Sequence, residues 1–153
     1  MENKNKTKQQ LLDENKVLRA QIEVFKKTSA KRKETEEYLR ISELRFRTIY
    51  EYAPVMINSF DKDGFCQLWN NECTKALGWT MEEMKACDKP LDLCYPDPEG
   101  RRKVMESITT TTKKVFREWH PTAKDGSGHV HMWANFDLPD GAVISIGYDI
   151  TEI

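Results

Sequence analysis

No stretch of this sequence has the apolar length of a membrane span, which needs about twenty residues. Neither sign of charge is in excess, because 24 Lys and Arg stand against 25 Asp and Glu. A balanced charge provides no general field for attracting nucleic acid or a membrane surface. The first ten residues are rich in Lys, Asn and Gln without an apolar segment, so they do not form a signal peptide. We therefore expect a cytoplasmic chain that makes no membrane contact.

Motifs for covalent or metal chemistry are also lacking. The four cysteines, Cys66, Cys73, Cys87 and Cys94, show neither Cys-x-x-Cys pairing nor zinc-finger spacing, and we expect reduced thiols. There is no Gly-rich phosphate loop, no nucleophile motif and no pair of carboxylates that suggests a cleft. The chain is therefore expected to be non-enzymatic, and a kinase or cyclase activity would belong to a domain beyond Ile153.

Glycine and proline are absent from residues 8 to 52, where Glu, Lys, Arg, Gln and Leu dominate, and this predicts a long helix. Leu11, Leu18 and Phe25 recur every seven residues, with Ile22 between the last two. Asn15 takes the matching core position, where a polar side chain can fix the register of two strands. Residues 1–41 are thus predicted to form a parallel coiled coil that makes a homodimer. The alternative is a single amphipathic helix folded onto its own domain.

A basic cluster in this helix could suggest a DNA-binding region. It comprises Lys26, Lys27, Lys31, Arg32 and Lys33. Glutamates follow at once, and no base-reading pattern accompanies the cluster, so a solvated helix face is the better interpretation. We expect no nucleic-acid partner.

Turn signals become dense after Tyr52. Asp63-Gly64, Asp125-Gly126 and Asp140-Gly141 each separate two short apolar runs, which is typical of hairpins. The predicted strands are Val55–Phe60, Phe65–Trp69, Val115–Pro121, His129–Leu138 and Ala142–Ile150. Between the second and third strands, we expect a helix capped by Asn70 or Asn71 and closed by Gly78, a helix begun by the capping box Thr80–Glu83, and a helix from Pro98 to Ile108. This order predicts an α+β domain.

Six short motifs follow one another in the order that is familiar from PAS domains. They are Phe46-Arg47-Thr48-Ile49 before Ala53-Pro54, Asn70, Gly78-Trp79-Thr80-Met81-Glu82-Glu83-Met84, Tyr95-Pro96-Asp97, Lys124-Asp125-Gly126, and Asp149-Ile150-Thr151. Together they make Ser42–Glu152 resemble a PAS domain. The resemblance implies a PAS domain over residues 42–153, with a five-stranded antiparallel sheet in the order 2-1-5-4-3. Helices lie on one face of that sheet, and the long N-terminal helix precedes it.

The resemblance also implies a function. PAS domains are sensor modules of bacterial and archaeal signalling proteins, including two-component systems. We expect a module that dimerises and relays a signal to a C-terminal output domain of the histidine kinase or diguanylate cyclase type. Asp149 and Thr151 mark the position where the signal leaves the domain. The alternative is a ligand-free module for dimerisation or protein interaction.

The register of the family assigns side chains to the two faces of the sheet. The face towards the pocket is expected to carry Asn58, Trp119, Met132, Ala134, Phe136, Val143, Ser145 and Gly147. Trp119 could be a core residue or a platform for an unidentified small molecule. The opposite face is expected to carry Trp133, Ile144, Ile146 and Tyr148. Of these, Trp133, Ile144 and Tyr148 are predicted to supply a dimer contact beside the coil residues Leu11, Leu18, Ile22 and Phe25, because so large an apolar surface should be covered.

Three cofactors can be weighed by comparison with branches of the family. The light-sensing branch places a reactive thiol where this chain has Lys89 and a Gln where it has Gly147, so a covalent flavin is not expected, although a non-covalent one stays open. The haem-binding branch takes a His from the helix Pro98–Ile108, which has none. His129 and His131 share a strand face, with His120 on a neighbouring strand, but no acidic or Cys partner is evident for a metal. No cofactor is therefore predicted.

Overall fold

The computed structural model describes residues 6–110 and 114–153. These residues belong to two compact units, Met1–Phe46 and Arg47–Ile153. Helix α1 spans Lys8–Tyr52, so the predicted boundary between residues 41 and 42 falls inside it. Thr7 begins this helix with a capping box. Its hydroxyl accepts a hydrogen bond from Gln10 N, and Thr7 N donates to the Gln10 side chain.

Among its described residues, the first unit consists of α1 up to Phe46 and the two residues before it, and the last turns of α1 belong to the second unit. Its predicted coil residues are at least half exposed, from 50% for Ile22 to 73% for Phe25. Ion pairs within the helix, such as Arg32–Glu36 and Arg40–Glu37, are exposed and contribute little to stability. The coiled coil, the homodimer and the folded-back alternative all stay predictions. Among the described residues, no helix is long and apolar enough to cross a membrane.

Within its described residues, the second unit contains five strands and four further helices. The strands are β1 Met56–Phe60, β2 Cys66–Trp69, β3 Arg117–Trp119, β4 His131–Asp137 and β5 Val143–Asp149. The helices are α2 Asn71–Leu77, α3 Met81–Ala86, α4 Pro90–Cys94 and α5 Pro98–Thr109. All neighbouring strands are antiparallel, in the order β2-β1-β5-β4-β3. The predicted fold class and strand order are confirmed. Strand β3 is shorter than predicted and ends before Pro121, while α4 was not predicted.

The helix ends follow the signals in the sequence. Asn70 caps α2, and Gly78 closes it with a φ of 77° that a side chain would make costly. Thr80 and Glu83 form both bonds of the predicted capping box at α3. Asp97 caps α5 through Gly100 N, with Pro98 in the first turn. These local agreements place α2, α3 and α5 correctly along the chain.

Asn70 joins three elements through one fully buried side chain. Its Oδ1 accepts hydrogen bonds from Ile57 N in β1 at 3.0 Å and from Cys73 N in α2 at 3.1 Å. Its Nδ2 donates to the carbonyls of Tyr50 in α1 and Val55 before β1, both at 2.9 Å. All four bonding positions of the amide are therefore used. The end of α1, the start of β1 and the start of α2 depend on one another through this side chain.

Tyr50 adds a second link at the same junction. Its hydroxyl accepts a hydrogen bond of 2.6 Å from Trp69 N at the end of β2. Burial raises the pKa of the Tyr50 hydroxyl to about 12, so the group stays neutral at ordinary pH. The main core lies beyond this junction, between the inner face of the sheet and helices α2 to α4. Its buried side chains are Met56, Phe60, Cys66, Trp69, Cys73, Leu77, Met84, Cys94, Ala123 and Trp133.

The register between β4 and β5 corrects the predicted faces of β4. Trp133 lies opposite Gly147, and Asn135 lies opposite Ser145. Directly paired residues point to the same face of a sheet, so the odd-numbered residues of β4 face inwards. The prediction was wrong for Met132, Ala134 and Phe136, which lie on the outer face. It was equally wrong for Trp133, which was expected there and is instead 8% exposed and part of the core.

The turn between the two strands explains this register. Leu138 N donates to Ala142 O, and Gly141 N donates to Leu138 O, so three residues, 139–141, form the loop. Gly141 adopts the left-handed conformation that such a loop requires. A three-residue loop pairs Leu138 with Ala142 and so sets all the residue pairs between β4 and β5. The apolar residues Met132, Ala134 and Phe136 had suggested that the even-numbered residues of β4 face inwards. The residues that do face inwards are polar or aromatic.

We predict that Asn70→Asp will lower the free energy of unfolding by about 2 to 4 kcal/mol. A carboxylate of the same shape cannot donate to Tyr50 O and Val55 O, so two buried carbonyls lose their partners. Urea unfolding followed by circular dichroism measures the loss. The matched control is Asn71→Asp, because the exposed Asn71 side chain makes one hydrogen bond of 3.3 Å. It should change stability by less than about 0.5 kcal/mol. Equal stability of the two variants would contradict the role given to Asn70.

Candidate functional site

A cavity of about 50 Å³ lies between the inner face of the sheet and the helices of the second unit. Strands β1, β5, β4 and β3 supply one wall, and helices α2, α4 and α5 supply much of the other. The lining residues are Asn58, Phe60, Trp69, Leu77, Leu91, Cys94, Tyr95, Val104, Ser107, Ile108, Trp119, Pro121, His131, Trp133, Asn135 and Ser145. A site for a drug-sized molecule usually has 300–1,000 Å³. This cavity has room for a few water molecules or a very small ligand.

Three of the predicted pocket residues, Asn58, Trp119 and Ser145, do line the cavity. Val143 and Gly147 lie on the same face of β5 without being part of the lining. Met132, Ala134 and Phe136 lie on the other face, and β4 instead contributes His131, Trp133 and Asn135. Sequence reasoning missed these three residues. The signal that could have found them is the length of the loop 139–141. A three-residue loop sets the register in which these residues pair with the inward positions of β5.

A polar row crosses the cavity floor from β1 to β4. Asn58 pairs with Ser145, and Ser145 pairs with Asn135, so all three side chains share one face. Ser145 Oγ donates a hydrogen bond of 2.8 Å to Asn135 Oδ1. Asn58 is 8% exposed, and its buried Oδ1 has no hydrogen-bond partner among the described residues. An unpaired buried acceptor costs free energy, so this atom is suited to accept from a water or a small donor in the cavity.

The indole of Trp133 limits the size of the cavity. It can lie where it does because residue 147 is a glycine. A Cβ at Gly147 would lie 2.4 Å from Trp133 Cδ2 and 2.8 Å from Met132 O. Both distances are far below van der Waals contact, so a side chain at position 147 and the indole of Trp133 cannot share this space. The indole therefore occupies room that a larger ligand would need.

The thiol and phenol beside the cavity are not nucleophiles. Burial raises the pKa of the Cys94 thiol to about 12 and also raises the pKa of the Tyr95 hydroxyl. Both groups are therefore protonated at neutral pH. The arrangement can bind a small molecule through hydrogen bonds and aromatic contacts.

A second polar group lies where β4 begins and β5 ends. His129 Nδ1 lies 2.9 Å from Asp149 Oδ2, and His131 Nε2 lies 3.4 Å from the same oxygen. The expectation that the two histidines have no acidic partner was wrong. Residues 131 and 149 pair in the same hairpin register that sequence reasoning missed.

Ionisation within this group follows from burial and hydrogen bonds. Burial raises the pKa of Asp149, but hydrogen bonds from Thr151 and His129 outweigh it and hold that pKa at about 2. Burial lowers the pKa of His131, against the opposing effect of Asp149. At neutral pH Asp149 is therefore a carboxylate, and the His131 imidazole is neutral.

Asp149 and Thr151 form a clasp that ties the end of β5 to the residue before β4. Asp149 Oδ1 accepts from Thr151 N at 2.8 Å and from the Thr151 hydroxyl. Thr151 Oγ1 in turn accepts from Val130 N at 3.0 Å. The side chains thus bond backbone groups at the strand end.

Comparisons with known proteins agree on the architecture. No family model matches the chain, and no curated protein matches it. A domain of a sensory box sensor histidine kinase/response regulator from Geobacter sulfurreducens shares 19% identity over 72% of this chain and 96% of its own, with a TM-score of 0.59. The PAS domain of an HTR-like protein from Haloarcula marismortui shares 20% identity over 77% of this chain and 99% of its own, also with a TM-score of 0.59. The Rhodobacter sphaeroides LOV protein shares 10% identity over 74% of this chain and 69% of its own, with a TM-score of 0.58. The chain has the PAS fold.

Two positions of this PAS fold, Lys89 and Gly147, correspond to flavin-site positions of the light-sensing branch. Lys89 is exposed just before α4 and does not line the cavity. Gly147 faces the indole of Trp133, which fills the position of a longer side chain. In α5, which includes the Pro98–Ile108 segment compared with the haem branch, Val104, Ser107 and Ile108 face the cavity. The absence of a covalent flavin and of haem stays a prediction, and a non-covalent flavin stays open.

The outer face of this PAS sheet carries an apolar surface. Ile144 and Ile146 are half-buried, and Tyr148 is 41% exposed, with its ring centroid 5.4 Å from that of Phe116. Ile144 and Tyr148 therefore lie on the predicted face, whereas Trp133 does not. Their role as a dimer contact stays a prediction.

We predict that Gly147→Ala will lower the free energy of unfolding by about 1 to 3 kcal/mol. The new methyl group must displace the Trp133 indole and the strand backbone at Met132, and overpacking of this kind is destabilising. The control is Gly128→Ala, since a Cβ there meets nothing within 4 Å and the backbone needs no positive φ. Chemical denaturation of both variants provides the measurement. If Gly147→Ala unfolds at the wild-type midpoint, Trp133 does not require the glycine.

Proposed function

We propose that this chain is a sensory signalling module. It dimerises in parallel through its N-terminal helix and relays a signal to a C-terminal output domain of the histidine kinase or diguanylate cyclase type. The observation that carries the proposal is the PAS fold, which the chain shares with a domain described as part of a sensory box sensor histidine kinase. The proposal assigns no catalytic role to this chain.

The first unit supports dimerisation through its exposed apolar side chains. A single helix cannot bury Leu11, Leu18, Ile22 and Phe25 against itself, and isolated helices of this polarity are unstable in water without a partner surface. Two parallel copies would pack these side chains against each other at heptad spacing. Asn15 would then face Asn15 of the second copy and favour the parallel, in-register pair. A second copy of this chain is therefore the partner that fits the helix.

Leu18→Lys should shift the protein from dimer towards monomer. A lysine in the seam places two like charges in an apolar interface, which opposes association. Sedimentation velocity over a range of concentrations measures the effect, and the dissociation constant should rise at least tenfold. Ala20→Lys is the matched control, because Ala20 lies on a different face of the helix from Leu18 and is exposed. A Leu18→Lys protein that stays as dimeric as the control would remove the coil from the proposal.

The cavity supports a small or polar stimulus rather than a large cofactor. Asn58 Oδ1 needs a donor, and Trp119 and Trp133 supply aromatic walls around it. A space of about 50 Å³ suits a ligand of a few heavy atoms. Such a ligand would alter the polar row on β1, β5 and β4, and those strands lead to the junction at Asn70 and to the clasp at Asp149.

The same volume favours a second candidate function. In a ligand-free dimerisation or interaction module, side chains fill the core, and the unpaired Asn58 oxygen binds only water. Trp133 already occupies much of the pocket, which agrees with this alternative. Native mass spectrometry of freshly purified protein separates the two functions, because a bound small molecule adds mass to the dimer and a ligand-free module adds none.

The clasp of Asp149 and Thr151 supports the position proposed for the signal exit. Its bonds determine how the chain leaves β5, since Thr151 is held to both Asp149 and Val130 N. A change at the sheet that weakens these bonds would favour a different direction for the following residues. Two arrangements that differ by a few kcal/mol are enough for a switch.

In a protein extended by a histidine kinase domain after Ile153, Thr151→Val should change the resting autophosphorylation rate about fivefold or more. Valine has the same shape but loses the hydroxyl bonds to Val130 N and Asp149, and a bias of about 1 kcal/mol shifts a two-state ratio by that factor. Thr151→Ser retains the hydroxyl and serves as the control, with a rate close to that of the parent. Should valine and serine behave alike, the joint lies elsewhere in the chain.

A further inference from the structure

The group of His129, His131 and Asp149 offers three ligand atoms at one point on the sheet edge. One nitrogen from each imidazole and one carboxylate oxygen all lie within 4.8 Å of one another. The ligands of a tetrahedral zinc ion, each about 2.0–2.1 Å from the metal, are roughly 3.3 Å apart. The observed separations from Asp149 Oδ2, 2.9 Å to His129 Nδ1 and 3.4 Å to His131 Nε2, are close to that spacing. Small side-chain movements would therefore bring the three atoms around one ion.

His131 is the buried member of the group and has unused bonding capacity. It is 0% exposed, and among the described residues neither ring nitrogen has a hydrogen-bond partner. The 3.4 Å separation of Nε2 from Asp149 Oδ2 is too poorly aligned to count as a hydrogen bond. A buried polar atom without a partner costs free energy. A metal ion at Nε2 would remove this cost at one of the two nitrogens.

Hydrogen bonds around His129 hold its ring so that Nδ1 faces the same place. Ser127 Oγ donates its proton to Asp125 Oδ1 at 2.5 Å. The hydroxyl oxygen lies 3.1 Å from His129 Nε2 and accepts from it. Nδ1, on the other side of the ring, lies 2.9 Å from Asp149 Oδ2. A metal ion between these two atoms would replace their hydrogen bond.

Asp149 has one oxygen available for such a cation. Its Oδ1 already accepts from Thr151 N and the Thr151 hydroxyl, while Oδ2 faces the two histidines. A ligand set of two imidazoles and one carboxylate suits zinc, cobalt and ferrous ions rather than calcium or magnesium. His129 and Asp149 are partly exposed, with 21% and 32% of their side-chain surfaces accessible, so the ion has a path from solvent.

We propose that His129 Nδ1, His131 Nε2 and Asp149 Oδ2 bind one divalent transition-metal ion, with zinc as the best fit. The Ser127–Asp125 pair orients His129 in the manner of outer partners at known metal sites. A water molecule completes the tetrahedral coordination. The ion would hold the start of β4 to the end of β5, directly before Thr151. The proposal does not depend on the signalling role.

Isothermal titration of the chelator-treated, metal-free protein with zinc chloride tests the proposal. We expect one ion per chain and, at saturating zinc, a higher midpoint of thermal unfolding, because the ion binds the folded state. Cobalt provides a second measurement, since its visible spectrum distinguishes nitrogen and oxygen ligands from thiolates. The absence of saturable binding, or a thiolate spectrum, would overturn the proposal.

Matched variants show whether these residues bind the ion. His129→Gln should weaken zinc binding more than tenfold, and Ser127→Ala should weaken it about tenfold. His120→Gln is the control, because His120 is the remaining histidine of the chain and lies on the surface beside Glu118. It should bind zinc as the parent does. His129 is partly exposed, so its variant is expected to fold, and circular dichroism of the metal-free proteins verifies this. Equal zinc affinity in His129→Gln and His120→Gln would show adventitious binding and overturn the proposal.

Discussion

The amide of Asn70 is the contact on which the second unit depends. One buried side chain satisfies two backbone donors and two backbone acceptors, and these belong to the end of α1, the start of β1 and the start of α2. The directions of three chain segments are therefore fixed at one point. No apolar residue could do the same, because the four backbone groups would be buried without partners. Tyr50 strengthens the junction through its bond from Trp69 N.

The free space inside the domain is limited by the indole of Trp133. Gly147 lets the indole lie against β5, and the remaining cavity is then about 50 Å³. Several of the similar solved structures are described as LOV proteins, yet the pocket of this chain follows from its own residues. The fold alone does not decide what is sensed. The polar row from Asn58 to Asn135 gives the small cavity an acceptor, Asn58 Oδ1, that has no partner among the described residues, and the sensing proposal is tied to that atom.

The chemistry at the ends of β4 and β5 depends on the same hairpin. Its register brings His131 opposite Asp149 and places Thr151 beside Val130. One carboxylate thus serves two purposes, since Oδ1 holds the clasp and Oδ2 faces the histidines. A cation bound there and the proposed signal exit would share a side chain without sharing an oxygen. The proposed cation site and the proposed signal exit would therefore meet at the clasp.

The sequence by itself determined the helix ends and turns, which depend on residues close together in the chain. The capping boxes, the turn glycines and the long run without Gly or Pro fixed the helices and hairpins, because these signals act within a few residues. Together with the PAS motifs they were enough for the fold class, the strand order and the positions of Asn58, Trp119 and Ser145. The faces of β4 were decided only by tertiary structure. Met132, Ala134 and Phe136 have the apolar pattern of an inner face, but pairing across the 139–141 loop turned Trp133 and Asn135 inwards. The same long-range pairing brought Asp149 to two histidines that lie about twenty residues earlier in the chain.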